Sequence, residues 1–306
     1  MKEIRQHFDD QVHYQKINES MHTVKEKIEH QYKILQLDSK IKGRKTWNIG
    51  IASLLPKNKD INKFKPLVSY AKFYSRTFGQ LASRALTVII KTLKQRWMTM
   101  ELMRTKDFVG EVGKFTAGSK WKRTLKKDIT LIKWDIKNQF TNLPKQKVIN
   151  ALDIALNFIQ NQTSKKGVTL RRREAERHSD KLGTGSPRTW INISFQELMR
   201  YVIMELDTPY IKVGAQIYKQ IEGLPMGGYL SAGLAVIYSM YREHTNFKLW
   251  KQLEMKSKWF RFRDDILAIV EGRLKSKQIS NIQIALKQVY GIELTVELEE
   301  TSNQKI

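Results

Sequence analysis

The sequence predicts an α+β fold built round a split βαβ sheet, and three observations carry that reading. Residues 129–136 form a short, largely apolar strand, and Val148, Leu152, Ala155 and Ile159 behind it fall on one helix face. Residues 259–271 read as two strands hinged at Asp264-Asp265, and the next helix carries Ile279, Ile282, Leu286 and Val289 at spacings of three and four. Finally Ile292, Leu294, Val296 and Leu298 alternate with Glu293, Thr295, Glu297 and Glu299, the pattern of a strand buried on one side. Strand, helix, hairpin, helix, strand is the order of the split βαβ motif.

The remaining elements follow in chain order. Residues 24–37 have the apolar spacing of an amphipathic helix, and residues 70–97 that of a longer one bearing Arg76, Arg84, Lys91, Lys94 and Arg96. Between them Leu54-Leu55-Pro56-Lys57 and residues 64–69 are expected to be extended, because each proline pushes its predecessor out of the helical region. Pro144 suits the first turn of the helix that follows the 129–136 strand. Residues 164–188 carry eight Lys or Arg against three acids and are rich in Gly and Ser, which predicts a loop-rich basic insertion. A hairpin strand over 211–218 and a helix over 229–244 complete the series. The expected division is a basic, helical N-terminal region, 1–128, and a sheet domain, 129–306.

Composition narrows the function. Lys and Arg number 55 against 30 Asp and Glu, so the 306-residue chain carries a net charge of +25. Such a surplus points to a polyanionic partner, nucleic acid above all. With no cysteine, a disulfide framework, a zinc knuckle and a thiol nucleophile are all excluded. Hydrophobic residues at 41% rule out a disordered basic tail. The longest charge-free run, 223–241, is broken by Gly, Pro and Ser, so no membrane span is expected. Glu3, Asp9 and Asp10 fit neither a secretory signal nor a transit peptide, and the expected setting is intracellular, with synthesis inside a mitochondrion as one version of it.

Three acids stand out by position. Asp135 ends the first strand of the motif, and Asp264 and Asp265 sit at the hairpin tip beside Phe262 and the apolar run 266–270. In a split βαβ sheet the first strand neighbours the central hairpin, so Asp135 is expected to approach Asp264. Converging carboxylates in so basic a chain call for cations between them. Two magnesium ions roughly 3.5–4 Å apart would stabilise the attacking and leaving oxygens of a phosphoryl transfer. A bare Asp-Asp pair, taken alone, reads first as a turn.

Those residues also resemble a family. Phe262-Arg263-Asp264-Asp265 resembles the aromatic-x-Asp-Asp box of reverse transcriptases. Residues 220–227, Gln-Ile-Glu-Gly-Leu-Pro-Met-Gly, look like their motif B loop, and Trp134-Asp135-Ile136 with Phe140-Thr141-Asn142-Leu143-Pro144 is similar to motif A. The Phe-Thr-Asn-Leu-Pro ending is the form of Penelope-like elements, the telomerase-related lineage. Leu55-Pro56-Lys57 and Lys65-Pro66-Leu67-Val68-Ser69 resemble that lineage's fingers motifs, and residues 290–297 its motif D.

The resemblance implies a right-hand polymerase with helical fingers and a split βαβ, ferredoxin-like palm. It implies catalytic, metal-ligating roles for Asp135, Asp264 and Asp265, with Mg2+ as cofactor and Mn2+ as substitute. Phe140 matches the gate that excludes a ribose 2′-hydroxyl. Gln220, Gly223, Pro225, Met226 and Gly227 match the loop that holds template and incoming base, and Lys57 and Lys65 the residues that neutralise the triphosphate. Arg76, Arg84, Lys120, Lys122, Arg123, Lys126, Lys127, Arg171, Arg172 and Arg173 are the expected contacts to nucleic-acid backbone, read from charge alone.

The sequence departs from the pattern at three places. Lys65 stands where the family usually has Arg, Gly228-Tyr229 where Ser-Pro is common, and Ala232 where another Pro is common. The family's primer grip and helical thumb are not found before Ile306; either another polypeptide supplies that part, the chain is a fragment, or polymerisation is no longer its job. Two functions compete. One is an RNA-directed DNA polymerase acting on an RNA template, a DNA primer and deoxynucleotide triphosphates. The other is a reverse-transcriptase-derived RNA-binding subunit of a ribonucleoprotein such as a mitochondrial ribosome. A palm-like nucleotide cyclase would share the carboxylates but leaves the 220–227 loop unexplained.

Overall fold

A computed structural model describes residues 7–57, 60–117, 128–251 and 257–304. The chain begins with β1 (Tyr14–Ile17), α1 (Met21–Ile34), β2 (Gly50–Lys57), β3 (Asp60–Ser69), α2 (Arg76–Lys94) and α3 (Thr105–Ala117). Next come β4 (Ile129–Lys137), the single turn α4 (Gln139–Asn142), α5 (Lys145–Thr163), β5 (Gly167–Arg171), β6 (Lys181–Leu182), β7 (Trp190–Ser194) and α6 (Phe195–Asp207). The last third holds β8 (Tyr210–Val213), β9 (Gln216–Gln220), α7 (Ser231–Thr245), α8 (Phe247–Lys251), β10 (Ser257–Phe262), β11 (Asp265–Glu271), α9 (Ser276–Tyr290) and β12 (Thr295–Gln304). These elements form two compact units, each drawn from two stretches of chain. The first takes Met1–Thr92 and Phe140–Ala235, the second Leu93–Gln139 and Val236–Ile306. The boundary expected at 128/129 falls inside the second unit's first stretch.

The first unit is organised round a five-stranded sheet, ordered β1-β9-β8-β2-β3. The stretches round Pro56 and Pro66 form the antiparallel hairpin β2–β3, with Leu54 opposite Pro66. A proline cannot donate to the ladder, and both find room here. β3 is an edge strand, and β8 pairs with β2 only at Gly50 and Ile51. Ser20 caps α1 by accepting the Thr23 amide at 3.1 Å, so the helix starts ahead of its first apolar residue. It then buries Val24, Ile28 and Tyr32. On α2 the buried residues Phe78, Leu81, Ala82, Ala85, Leu86, Ile89 and Leu93 keep a helical spacing.

Residues 164–188, expected to be loop-rich, contribute two strands to a small sheet, β6-β5-β7. Its organisation comes from partners distant in sequence. Arg84 holds both carboxylate oxygens of Asp180, at 2.7 and 2.9 Å, and the Arg171 carbonyl at 2.9 Å. The Arg171 guanidinium lies over the Trp190 ring, 4.0 Å from its centroid.

The second unit is a four-stranded antiparallel sheet. In chain order its strands are β4, β10, β11 and β12, and in space they run β12-β4-β11-β10, the 4-1-3-2 order of a split βαβ. Alternation along β4 creates two different faces. Ile132, Trp134 and Ile136 are buried, with Trp134 stacked on Trp259 at 5.5 Å. Ile282, Leu286, Val289 and Tyr290 of α9 are buried in the same unit, and α9 packs against β12. The opposite face starts apolar, where Phe108 and Val112 of α3 cover Leu102, Ile129, Phe260 and Ile269. It ends in charge, at Lys133, Asp135 and Lys137.

Candidate active site

The two-residue connection Arg263-Asp264 joins β10 to β11, closed by the pair Phe262 and Asp265. Arg263 takes φ 61°, a left-handed conformation costing a residue with a side chain roughly 1–2 kcal/mol. Two hydrogen bonds hold it there. The Ile136 amide donates to the Asp264 carbonyl at 2.9 Å, and the Arg261 guanidinium donates to the Arg263 carbonyl at 2.9 Å. Arg261 is itself fully buried, between Glu101 at 2.6 Å and Glu243 at 2.5 Å. Glu243 also accepts from the Tyr290 hydroxyl at 2.8 Å, the Met100 amide at 3.0 Å and the Thr99 hydroxyl. Burial opposes the Arg261 charge, but the two carboxylates outweigh it and raise its pKa, while burial pushes Glu101 up to about 7.

This frame places the acids. Asp135 on β4 lies directly opposite Asp265 on β11, with Asp264 at the tip alongside, and on its other side Asp135 faces Glu297 of β12. The pKa of Asp264 is raised, first by burial and then by the charges of Asp135 and Asp265. Asp264 therefore feels the charge of both neighbouring carboxylates.

Two lysines on the Asp135 face answer that charge. Lys137 contacts the Asp135 carboxylate and reaches Glu299 Oε1 at 3.2 Å. Lys133 contacts Asp265 at 3.2 Å and Glu299 Oε2 at 2.8 Å. Their hydrogen bonds raise both lysine pKa values, through Glu299 first for Lys133 and Asp135 first for Lys137, and lower that of Glu299. Among the described residues no three acidic or imidazole side chains form a ready-made metal cage. Magnesium typically takes hard oxygens from only one or two carboxylates and the rest from phosphates and water. Asp135 and Asp264 are the carboxylates there that could supply such oxygens. Beside them a cavity of about 280 Å3 is lined by Leu102, Phe108, Phe260, Phe262, Lys133 and Asp265.

A second constellation lies wholly in the first unit. Gln220 ends β9, and its buried amide donates to the carbonyls of Glu222 at 2.9 Å and Leu224 at 3.2 Å. Gly223 has φ 77° and Gly227 φ 90°. A Cβ at Gly223 would lie 2.5 Å from the Thr141 carbonyl oxygen, and one at Gly227 2.0 Å from that of Val68. Only glycine allows this approach. The Leu224 amide donates to the Phe140 carbonyl at 2.6 Å, so the loop closes on the segment holding Phe140. Pro225 accepts from the Ser231 hydroxyl at 2.5 Å and the Gly228 amide at 2.9 Å; Met226 and Phe140 are half-buried. Lys145 donates to the Gln220 carbonyl at 2.6 Å, and burial pulls its pKa down to about 8.

The expected cationic contacts divide. Lys57 and Lys65 lie on β2 and β3, but their side chains are outside the described set, and Lys120, Lys122, Arg123, Lys126 and Lys127 lie outside the described residues altogether. Arg84 is engaged by Asp180, and Arg171 by Trp190 and by Glu176 at 3.2 Å. Arg76 donates to the Ala71 carbonyl at 2.7 Å. Arg172 and Arg173 are exposed, with Arg172 bonded to the Pro187 carbonyl at 3.1 Å and Arg173 3.8 Å from Glu176. Sequence reasoning passed over Lys133, Lys137, Glu299 and Arg261. The signal for the first two was present, since residues two either side of Asp135 on a strand share its face.

No protein-family model matches the chain, and no curated protein matches it. Solved structures do. Telomerase from Candida albicans in complex with the TWJ fragment of telomeric RNA superposes with a TM-score of 0.62 at 15% identity, over 89% of this chain and 47% of that one. The corresponding complex from Candida tropicalis gives 0.63 at 13% identity, over 92% and 45%. Apo telomerase from Candida tropicalis gives 0.60 at 12% identity, over 96% and 53%. The chain spans about half the length of these telomerases. At this identity the likeness shows the fold, which is mixed α+β and reverse-transcriptase-like.

Proposed function

We propose that the chain is the fingers and palm of an RNA-directed DNA polymerase of the Penelope-like, telomerase-related kind. The observation that carries the reading is the cross-strand placement of Asp135 opposite Asp265, with Asp264 at the tip, in a reverse-transcriptase-like fold. Asp135 and Asp264 would hold the catalytic magnesium ions, or manganese in their place, and Asp265 would support them. Bound magnesium supplies positive charge to the attacking and leaving oxygens of nucleotidyl transfer. The protein's own part is positioning and electrostatics. The Arg261 network fixes the tip that carries Asp264. The 220–227 loop holds the templating base and incoming deoxynucleotide, and Phe140 bars a 2′-hydroxyl. Lys57 and Lys65 would neutralise the triphosphate. The thumb that grips the RNA–DNA duplex comes from another polypeptide or another part of a longer chain. The test is extension of a DNA primer on an RNA template, with a thumb polypeptide supplied. Wild-type protein extends the primer, and no extension in magnesium or manganese by protein that binds the RNA tightly refutes the proposal.

The net charge of +25, together with lysines already seated on Asp135 and Asp265, favours a second reading. In it the chain is an RNA-binding subunit of a ribonucleoprotein such as a mitochondrial ribosome, descended from a polymerase. Co-purification of a ribosome or a large structured RNA with the native protein supports that reading. Co-purification of a thumb polypeptide supports the enzyme.

A further inference from the structure

The five side chains Asp135, Lys137, Glu299, Lys133 and Asp265 form one continuous chain of ion pairs. Its symmetry carries the argument. Each oxygen of Glu299 holds one lysine; the other partner of Lys137 is Asp135, assigned to metal, and that of Lys133 is Asp265, the acid directly opposite Asp135. Glu299 lies where the β12–β4 register shifts between Leu298 and Glu300, and that irregularity lets it reach two lysines on β4 rather than one. The lysines are 35% and 37% exposed, so their flexible stems can swing without unpacking the sheet. A divalent cation and an ammonium group repel one another when both sit on the Asp135 carboxylate, so they compete for it. Metal entry therefore pushes the lysine off Asp135, and among the described residues Glu299 is the acid already touching both lysines.

We infer that Lys133 and Lys137 are built-in counter-ions that keep the carboxylates paired in the absence of metal, and that Glu299 receives both lysines when metal displaces them. Glu299 is thus a positioning residue that sets metal affinity without ligating metal. Asp264 at the tip, Glu297 opposite Asp135 and Glu300 opposite Lys133 are further acids beside the cluster, and among the described residues no ion pair joins them to these lysines. The inference rests on the metal-site reading above.

The test is Mn2+ binding to the full chain without nucleic acid, read by electron paramagnetic resonance of the free ion. Lys137→Met should tighten binding by about tenfold, the effect expected of removing one competing charge at contact distance. Glu299→Gln should weaken it by a similar factor, because the displaced lysines lose their acceptor. In the Lys133→Met/Lys137→Met background, Glu299→Gln should lose most of that effect. A Glu299 that merely attracted the cation through space would weaken binding at least as much with the lysines gone. An undiminished effect in that background overturns the inference, as does Lys137→Met binding no tighter than wild type. Binding abolished by Asp264→Asn yet indifferent to both lysines overturns the inference alone. Binding that Asp264→Asn leaves unchanged overturns the metal-site reading itself.

Discussion

Gly227 and Gly110 make an instructive pair at the scale of single residues. A Cβ at Gly227 would lie 2.0 Å from a backbone oxygen, at a φ of 90°, whereas Gly110 on α3 has nothing within 4 Å. Gly227→Ala is therefore expected to cost about 1–3 kcal/mol of stability in urea unfolding, since the loop must move or strain. Gly110→Ala is expected to gain up to about 1 kcal/mol from helix propensity. Equal effects at the two sites would contradict the close loop packing. Phe140 carries a functional prediction. Its backbone is held by the Leu224 amide, so Phe140→Ala should leave the loop in place while opening space at the sugar. Incorporation of ribonucleotides relative to deoxynucleotides should then rise by about tenfold or more in single-nucleotide assays. An unchanged ratio would make Phe140 a packing residue only.

Among the elements, α6 does two jobs. It packs Leu198, Tyr201 and Val202 into the first unit, and it presents Glu205 to the start of α7, where the carboxylate accepts the Leu230 amide at 3.1 Å. Burial pushes Glu205 up to about 7 from an ordinary 4.5. Between pH 4.5 and 7 the folded state keeps a proton that the unfolded state has released. Stability from this group is thus fullest below pH 4.5 and falls as pH rises through 7, by roughly 3 kcal/mol in all. Glu205→Gln should remove that slope, and the wild-type minus variant difference in unfolding free energy from pH 5 to pH 8 measures it. A flat difference would mean that Glu205 is ionised throughout. In the second unit, Arg261→Met should cost about 3–5 kcal/mol, because it strands Glu101 and Glu243 in the core. Local periodicity carried most of these elements: β4, α5, the β10–β11 hairpin and α9 lie within a few residues of where the pattern puts them. The misses have tertiary causes. Residues 164–188 read as loop because the Arg84–Asp180 pair and the Trp190 stack that order them span long sequence separations. β12 runs on to Gln304, past the clean alternation, because the bulge after Leu298 breaks the period. The capping box Ser194-Glu197 that opens α6 was written in the sequence and went unread.

For the molecule as a whole, charge and topology make separate predictions. RNA affinity should fall steeply with salt, each phosphate contact adding a little under one unit to the log–log slope. Neutralising Arg172 and Arg173 should flatten that slope by about two units and weaken all sequences alike, while adding Arg171→Gln should change it little, because that guanidinium is committed to Trp190 and Glu176. A triple variant with the wild-type slope would remove this sheet from the RNA interface. The candidate site was legible in the sequence as far as the order of its boxes, since short motifs name Asp135, Asp264 and Asp265 directly. The division into units was not, because each unit joins two distant stretches and only three-dimensional contact pairs them. The central claim is that Asp135 and Asp264 together perform nucleotidyl transfer. The most direct test is single-turnover incorporation of one deoxynucleotide by wild type, Asp135→Asn and Asp264→Asn, with RNA affinity measured on the same preparations. The account predicts that either substitution abolishes incorporation while RNA affinity stays within about twofold of wild type, since shape is kept and only the ligand charge is lost. Incorporation that survives Asp264→Asn would contradict it.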